Sequence, residues 1–590
     1  MSSPSSNAVQ AESASSSSSS APSSPVASSV SSLSVGTDVT QLDQASATSA
    51  DLPPSPTKED IALPVEERQA KAKALKDEGN KLFVVGQYEA AKHQYGLAIA
   101  LDPSVPAFYS NRAACELKLE QHGLAIEDAT KAIQLDSKFS KAYFRRASAH
   151  LSILDPKSAL PDLRIVAQLE PKNATVKAQL EATVKLIRRL EFEKAIKVPD
   201  GAQAADTVES NLKEGSGSTV VPDSYIGPHI ADGDDQETKH LGKIDQKFIE
   251  DMIEHFKNGG KLHNRYSWQI ILGAFRALKQ EPTLVDYDIP EDTTVDVIGD
   301  THGQFFDFIH LLNKTGPPSD KHALLFNGDF VDRGSWSVEI ALTVFAYKWL
   351  YPKTTLINRG NHETSEMNKV YGFEGECKVK FGGDLTFKLF TQVFIALPLA
   401  TLISATKPPL TGNELPDSFS IAQRQPIVAK DTGFKRFFVV HGGLFSKDGV
   451  TLDDIRAIDR FKIGQPGQQG LMVELLWSDP QAAPGRNPSK RGVGLGFGPD
   501  ITKAWCELNG VTAVLRSHEV RMGGYEEEHE GRCCTIFSAP NYCDSTGNLG
   551  AFARIDDKGS IGWTRFEAQP HPNIKPMAYV GNAMNGMLGM

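Results

Sequence analysis

The sequence predicts a multidomain chain: an all-α repeat solenoid, then a domain of the α/β or α+β class. Three observations predict it. Leu101-Asp102, Leu135-Asp136 and Leu169-Glu170 stand 34 residues apart, as do Ala91, Ala125 and Ala159. Beyond the helical stretch Asp245 to Lys279, β-prone runs alternate with helical patterns, and each run ends in a polar turn. Two low-complexity stretches bracket the repeats, a serine-rich start and a Gly/Ser/Asp/Pro-rich segment from Pro199.

A chain of 590 residues is too long for one core. Its 62 basic and 73 acidic residues, net charge -11, argue against a dominant nucleic-acid-binding role. The six cysteines form no C-x-x-C pair and no disulfide framework, so a reducing compartment, cytoplasmic or nuclear, is expected. The most apolar run, Leu389 to Ile403, contains Pro398 and falls short of the roughly 20 residues of a membrane span. It reads as core. The first basic residue is Lys58, so neither a secretory signal nor an Arg-rich transit peptide fits.

Residues 1–65, with an unbroken serine run from Ser15 to Ser20, read as a disordered tail, because they hold too little apolar surface to offset chain entropy. Residues 66–197 read as three repeats, at about 72–105, 106–139 and 140–173, followed by a capping helix from Ala174 to about Ile196. Small residues let paired helices approach, and Pro or Ser at each repeat end breaks the second helix. This resembles tetratricopeptide repeats. Lys76 and Asn80 share a face of the first repeat, Asn111 takes the corresponding face in the second, and Lys141 with Arg145 does so in the third. Three cations and two amides on one wall can hold carboxylates. In this order they resemble the carboxylate clamp by which some such domains grip the acidic C-terminal tail of the ninety-kilodalton heat-shock chaperone.

Residues 198–224, including Glu214-Gly215-Ser216-Gly217-Ser218, read as a linker, and the second domain is expected over 225–590. Its β-prone runs are Thr294 to Ile298, Ala323 to Asn327, Thr354 to Asn358, Arg436 to Val440, Thr512 to Arg516 and Cys534 to Ser538. The turns behind them carry the candidate ligands. Asp300 and His302 are two apart on one face of an extended segment, Asp329 offers a bridging carboxylate, Asn361 an amide oxygen, and His441 and His518 imidazoles. Mixed O and N ligands without thiolate favour Mn, Fe or Zn, and the set is large enough for two ions.

Gly299-Asp300-Thr301-His302-Gly303, Gly328-Asp329-Phe330-Val331-Asp332-Arg333-Gly334, Arg359-Gly360-Asn361-His362-Glu363, His441-Gly442-Gly443, Leu476-Trp477-Ser478-Asp479-Pro480, Arg516-Ser517-His518 and Ser538-Ala539-Pro540-Asn541-Tyr542-Cys543-Asp544 together resemble the phosphoprotein phosphatase family of metal-dependent serine/threonine phosphatases. The repeats in front point to the branch of that family that carries them. The resemblance implies a metallophosphatase β-sandwich flanked by helices, and two divalent cations that activate a water for attack on phosphoserine or phosphothreonine. By the family pattern Asp300 and His302 hold the first cation, Asp329 bridges, and Asn361, His441 and His518 complete the second. His362 is the general acid, oriented by Asp332. Arg333 and Arg491, with Asn361 and Tyr542, face the substrate phosphate. Manganese is expected in vitro, with iron or zinc as alternatives.

Phosphoproteins and a chaperone tail are the expected partners, and a monomer is expected. The repeat domain is expected to cover the site until an acidic peptide or a lipid displaces it, with Glu120 as the side chain that occupies the arginine pair. Two features depart from the family pattern. About 401–436 carries extra sequence where a short β-hairpin is expected, and Asn358 stands before Arg359-Gly360 where an apolar residue is more usual.

Overall fold

Proline, aspartate and glycine punctuate the repeat region into paired helices. The computed structural model describes residues 57–195, 203–215, 217–234, 238–405, 435–572 and 574. The repeats are the pairs Val65–Val84 with Tyr88–Leu101, Pro106–Lys118 with His122–Leu135, and Ser140–Ser152 with Pro156–Leu169, and the helix Ala174–Ala195 follows. Ala91, Ala125 and Ala159 are fully buried, and their small side chains permit close helix contact. An ion pair repeats with the same period: Arg112 to Asp128 at 2.6 Å and Arg146 to Asp162 at 2.8 Å.

The turn inside each repeat carries one left-handed residue, at Gly86 (φ 81), Glu120 (φ 58) and Leu154 (φ 62). Glycine adopts that conformation freely, whereas a side chain there costs about 1–2 kcal/mol. Glu120 and Leu154 are therefore strained, and both face the second domain.

The serine-rich stretch 1–56 lies outside the described residues. Within the remainder of the segment read as tail, Lys58–Ala62 is helical, started by a capping box between Thr57 and Asp60. The segment read as linker holds the helix Ala204–Glu214, with Ala205, Val208 and Leu212 buried in the second domain's core. Three apolar residues at helical spacing carried that signal, masked by the flanking glycines and serines.

Among the described residues the second domain has fourteen strands: β1 (Leu284–Asp288), β2 (Thr294–Ile298), β3 (His322–Phe326), β4 (Thr355–Ile357), β5 (Ala400–Ser404), β6 (Arg436–Val440), β7 (Asp479–Pro480), β8 (Arg486–Pro488), β9 (Leu495–Phe497), β10 (Ala513–Arg516), β11 (Tyr525–Glu528), β12 (Cys533–Ile536), β13 (Gly550–Asp556) and β14 (Ile561–Phe566). One sheet has the order β14-β13-β2-β3-β4, a second β1-β5-β6-β10-β12-β11, and a small third β7-β9-β8. The two large sheets pack face to face through Val295, Val297, Leu325, Phe437, Val439 and Leu515. The opposite faces are covered by helices. Leu324 and Phe326 pack with Asn264–Leu278, Ser337–Leu350 and Leu385–Ala396, and Phe438 and Val440 pack with Leu471–Trp477 and Pro499–Asn509. Both faces are thus buried, which is why these strands read as continuous apolar runs.

Strands β2, β3 and β4 are mutually parallel, as are β6, β10 and β12. Their C-terminal ends lie along one edge of the sandwich, where a bridge between Asp300 and Phe537 joins the sheets. Strands β5 and β6 form the hairpin whose connection is the extra sequence. Residues 406–434 of that connection lie outside the described residues.

Candidate active site

Each parallel strand ends in a tight turn, and two glycines make the crowding possible. A Cβ on Gly299 would lie 2.2 Å from the Ile536 carbonyl oxygen, and one on Gly328 (φ 84) would lie 2.4 Å from the Gly360 nitrogen. The functional side chains follow directly. His302 (φ 39), Asp329 (φ 50), Asp332 (φ 70), Arg333 (φ 70) and His518 (φ 71) are all left-handed, at roughly 1–3 kcal/mol each. Hydrogen bonds over-determine them. The Asp329 carbonyl accepts from the Thr301 and His302 N–H groups at 3.1 and 3.0 Å. The buried Glu363 carboxylate accepts from the N–H groups of Asp329, Phe330 and Gly360 at 2.8, 3.0 and 2.8 Å.

The imidazole tautomers follow from their partners, because a carbonyl can only accept. His302 donates through Nδ1 to the Val331 carbonyl at 3.0 Å. Its Nε2 is then bare, 3.7 Å from Asp300 Oδ2 and 3.6 Å from Asp329 Oδ2. His441 donates through Nδ1 to the Asn327 carbonyl at 2.9 Å. Its bare Nε2 stands 2.9 Å from Asn361 Oδ1, 3.2 Å from His518 Nδ1 and 3.3 Å from Asp329 Oδ2. The Nε2 lone pair, the Asn361 amide oxygen, the His518 ring nitrogen and the Asp329 carboxyl thus converge on one point.

Two overlapping groups, His302-Asp329-His362 and Asp329-His441-His518, place their ligand atoms within 4.8 Å of one another, and Asp329 belongs to both. Asp300 lies just outside them, with its Oδ1 accepting from the His518 N–H at 3.2 Å. All six residues read as ligands are thus together. Burial pushes the Asp300 carboxyl up to about 8, raises Asp329 well above the usual carboxyl range, and holds His302 and His518 well below the usual imidazole range. Buried carboxylates and bare imidazoles, with no thiolate among them, fit two divalent cations.

His362 belongs to the first group, yet its Nδ1 bonds Asp332 Oδ2 at 2.9 Å. Asp332, pushed up to about 7 by burial, is also held by the Asn368 side-chain amide and the Phe373 N–H, both at 2.9 Å. Arg333 stacks 4.5 Å from the Tyr371 ring centre. Arg491 is pinned by Asp479 Oδ2 at 2.8 Å and the His518 carbonyl at 2.7 Å. What remains of both guanidiniums converges on Glu120 of the second repeat: Arg333 at 2.7 Å from Oε1 and Arg491 at 3.2 Å from Oε2. The Tyr542 hydroxyl donates to Glu120 Oε1 at 3.3 Å. Burial opposes the Glu120 charge, but the two arginines outweigh it and hold the carboxyl well below its usual range.

The surrounding contact extends this cover. Gly123 and Leu124 N–H groups, at the start of His122–Leu135, donate to the Lys490 carbonyl at 2.8 and 3.3 Å. The Tyr371 hydroxyl donates to the Ser152 carbonyl at 3.1 Å. Arg189 pairs with Glu374, and Leu154 and Leu186 pack against the cluster containing Tyr371 and Trp477.

In the repeats, three of the five residues that the sequence offers as a clamp form a row. Arg145 donates to Asn111 Oδ1 at 3.3 Å and to the Ser110 hydroxyl at 2.6 Å, and the Asn111 amide donates to Asn80 Oδ1 at 3.2 Å. Arg145 is only 7% exposed, Lys76 is half-buried beside Asp77, and Lys141 is exposed. Glu363, Asn368, Tyr371 and the bridging Asp479 were not singled out for the site from the sequence. Glu363 and Asp479 sit inside the motifs quoted for it, whereas Asn368 and Tyr371 lie on the next helix and carry no sequence signal of their own.

Comparison with known proteins places this geometry. The calcineurin-like phosphoesterase family matches residues 293–522, and the PPP5 TPR repeat region matches residues 180–286. Serine/threonine-protein phosphatase T of Aspergillus oryzae is 50% identical over 517 residues, covering 88% of this chain and 98% of the relative. Serine/threonine-protein phosphatase 5 of Homo sapiens is 40% identical over 521 residues, covering 88% and 95%. A solved Saccharomyces cerevisiae serine/threonine phosphatase, described as similar to human PP5, aligns with a TM-score of 0.50 at 43% identity, over 57% of this chain and 100% of its own.

Proposed function

The chain belongs to the serine/threonine-protein phosphatase 5/T family of metallophosphoesterases, and on that premise we propose a site closed by the second repeat and opened by an acidic C-terminal peptide. The observation that carries this is the pair Arg333 and Arg491, which share the Glu120 carboxylate as two guanidiniums would share a phosphate.

Asp300, His302 and Asp329 would hold one cation, and Asp329, Asn361, His441 and His518 the other. Two such cations, manganese in vitro with iron or zinc as alternatives, supply Lewis acidity to a water nucleophile and to the phosphoryl oxygens. The protein's own groups do the rest. Arg333 and Arg491 fix the phosphoryl oxygens, and Asn361 and Tyr542 line their approach. Arg491 is pre-oriented by Asp479, so little freedom is lost when substrate arrives. A serine or threonine alkoxide leaves slowly unless protonated, and His362 is placed to give that proton from Nε2, because Asp332 holds Nδ1.

The clamp residues Lys76, Asn80, Asn111, Lys141 and Arg145 would take a peptide ending in acidic residues, such as the ninety-kilodalton chaperone's tail. Asn111 lies on Pro106–Lys118, and Glu120 lies just past its end, about 14 Å further along the axis. One helix therefore connects the clamp to the side chain that plugs the site. The six cysteines are all unpaired, which supports a cytoplasmic or nuclear setting. Among the described residues no helix is long and apolar enough to cross a membrane.

The test is phosphate release from a phosphoserine protein by manganese-loaded full chain, with and without an acidic-tail peptide. Low basal release that the peptide raises is the expected result. No release under either condition would overturn the catalytic reading, and full release without peptide would overturn the closure.

A further inference from the structure

Beneath the ligands lies a buried polar chain that the sequence flagged at one residue. Asn358 follows β4, and its side chain enters the space between the sheets. The Thr401 hydroxyl donates to Asn358 Oδ1 at 2.8 Å. The Asn358 amide donates to Asn327 Oδ1 at 2.8 Å and to the Val439 carbonyl at 3.1 Å. The Asn327 amide donates to the Val440 carbonyl and the Ser517 hydroxyl, both at 2.8 Å. Thr401, Asn358, Asn327 and Ser517 are at most 1% exposed.

The direction of this chain is fixed by chemistry. The Val439 and Val440 carbonyls can only accept, so both side-chain NH2 groups must face β6. That turns the Asn327 oxygen toward Asn358 and the Asn358 oxygen toward Thr401, which makes the Thr401 hydroxyl a donor.

The chain ends on the ligands. The Asn327 backbone carbonyl takes the Nδ1 proton of His441 at 2.9 Å, and Ser517 immediately precedes His518 while its N–H bonds the His441 carbonyl at 3.0 Å. We propose that Asn358 is a positioning residue for the second ligand group: by holding the Asn327 side chain it fixes the carbonyl that orients His441, so that Nε2 faces Asn361 and Asp329. An apolar residue at 358 would leave Asn327 Oδ1 and the Thr401 hydroxyl without this partner, and buried orphans re-orient or repack. Partners behind metal-ligating histidines commonly set metal affinity as well as ring orientation.

The inference rests on the two-cation reading, and its test separates the two. Full-length wild type, Asn358→Leu and Asn358→Thr are stripped with chelator. Manganese binding is then measured by calorimetry, and the unfolding temperature of the stripped proteins is measured alongside. Wild type should bind two ions. Asn358→Leu should bind one of them about 10- to 100-fold more weakly. Asn358→Thr, whose hydroxyl keeps one donor, should lose less, and it decides the matter if the leucine variant does not fold. Variants that unfold at lower temperature yet bind both ions as wild type does would show that Asn358 only joins the sheets, and would overturn the proposal. Wild type that binds no manganese would overturn the two-cation reading itself.

Discussion

The Glu120 carboxylate, carried on a left-handed turn of the second repeat, lies 2.7 Å from the Arg333 guanidinium of the second domain. The same turn position is glycine in the first repeat and leucine in the third, and both non-glycine residues contact the second domain. Strain in the repeat turns is therefore offset by docking. Undocked, Glu120 would lose both arginines and keep its unfavourable backbone.

Closure also depends on the absence of a side chain at Gly123. A Cβ there would lie 2.9 Å from the Gly492 nitrogen and 3.0 Å from the Lys490 carbonyl oxygen. Both are backbone atoms of the segment that carries Arg491. Gly123→Ala is compatible with its helix and should raise basal phosphatase activity about 5- to 150-fold, the usual span of a coupling of about 1–3 kcal/mol. Steady-state assay on a phosphoprotein checks this, and an unchanged basal rate means the contact does not restrain the site.

His362→Asn should keep both cations and lose turnover by about 10²–10⁴-fold on phosphoserine. The loss should be much smaller on an aryl phosphate, whose leaving group needs no proton. Equal losses on the two substrates would assign His362 to metal binding instead, as its place in the first ligand group allows.

Lys141→Ala should weaken binding of a peptide with an acidic C-terminus by about 1.5–3 kcal/mol, with a reduced salt dependence. Lys141 is exposed, so the repeats should stay folded. Arg145 is a poorer probe, because its buried guanidinium also bonds Ser110 and Asn111. Unchanged affinity by calorimetry would reject the clamp.

The repeats and the ligand turns were legible because each leaves a local mark: a 34-residue period in one case, and glycine, carboxylate and imidazole after an apolar run in the other. Of the strands outside the six β-prone runs, β1, β13 and β14 are among those that leave little local mark. They alternate exposed and buried residues or end in charged turns, and pairing across the sheet decides them more than their own sequence. The helix Ala204–Glu214 was hidden for a related reason, since its three apolar residues acquire meaning only against the core they enter. Glu120 was legible as a candidate, but its left-handed turn was not, because glycine marks that position only in the first repeat, at Gly86. Asn358 stood out only as an unusual residue, and its partners arrive from β5, β6 and the turn beyond β3.

We infer that the Glu120 carboxylate holds the phosphate site shut until an acidic peptide occupies the repeat groove. Phosphate release from a phosphoserine protein, by manganese-loaded wild type and Glu120→Gln, each with and without an acidic-tail peptide, tests it most directly. Wild type should be slow and accelerated by the peptide, and Glu120→Gln should be already fast and indifferent to it. A Glu120→Gln chain as slow as wild type, and as responsive to peptide, would contradict it.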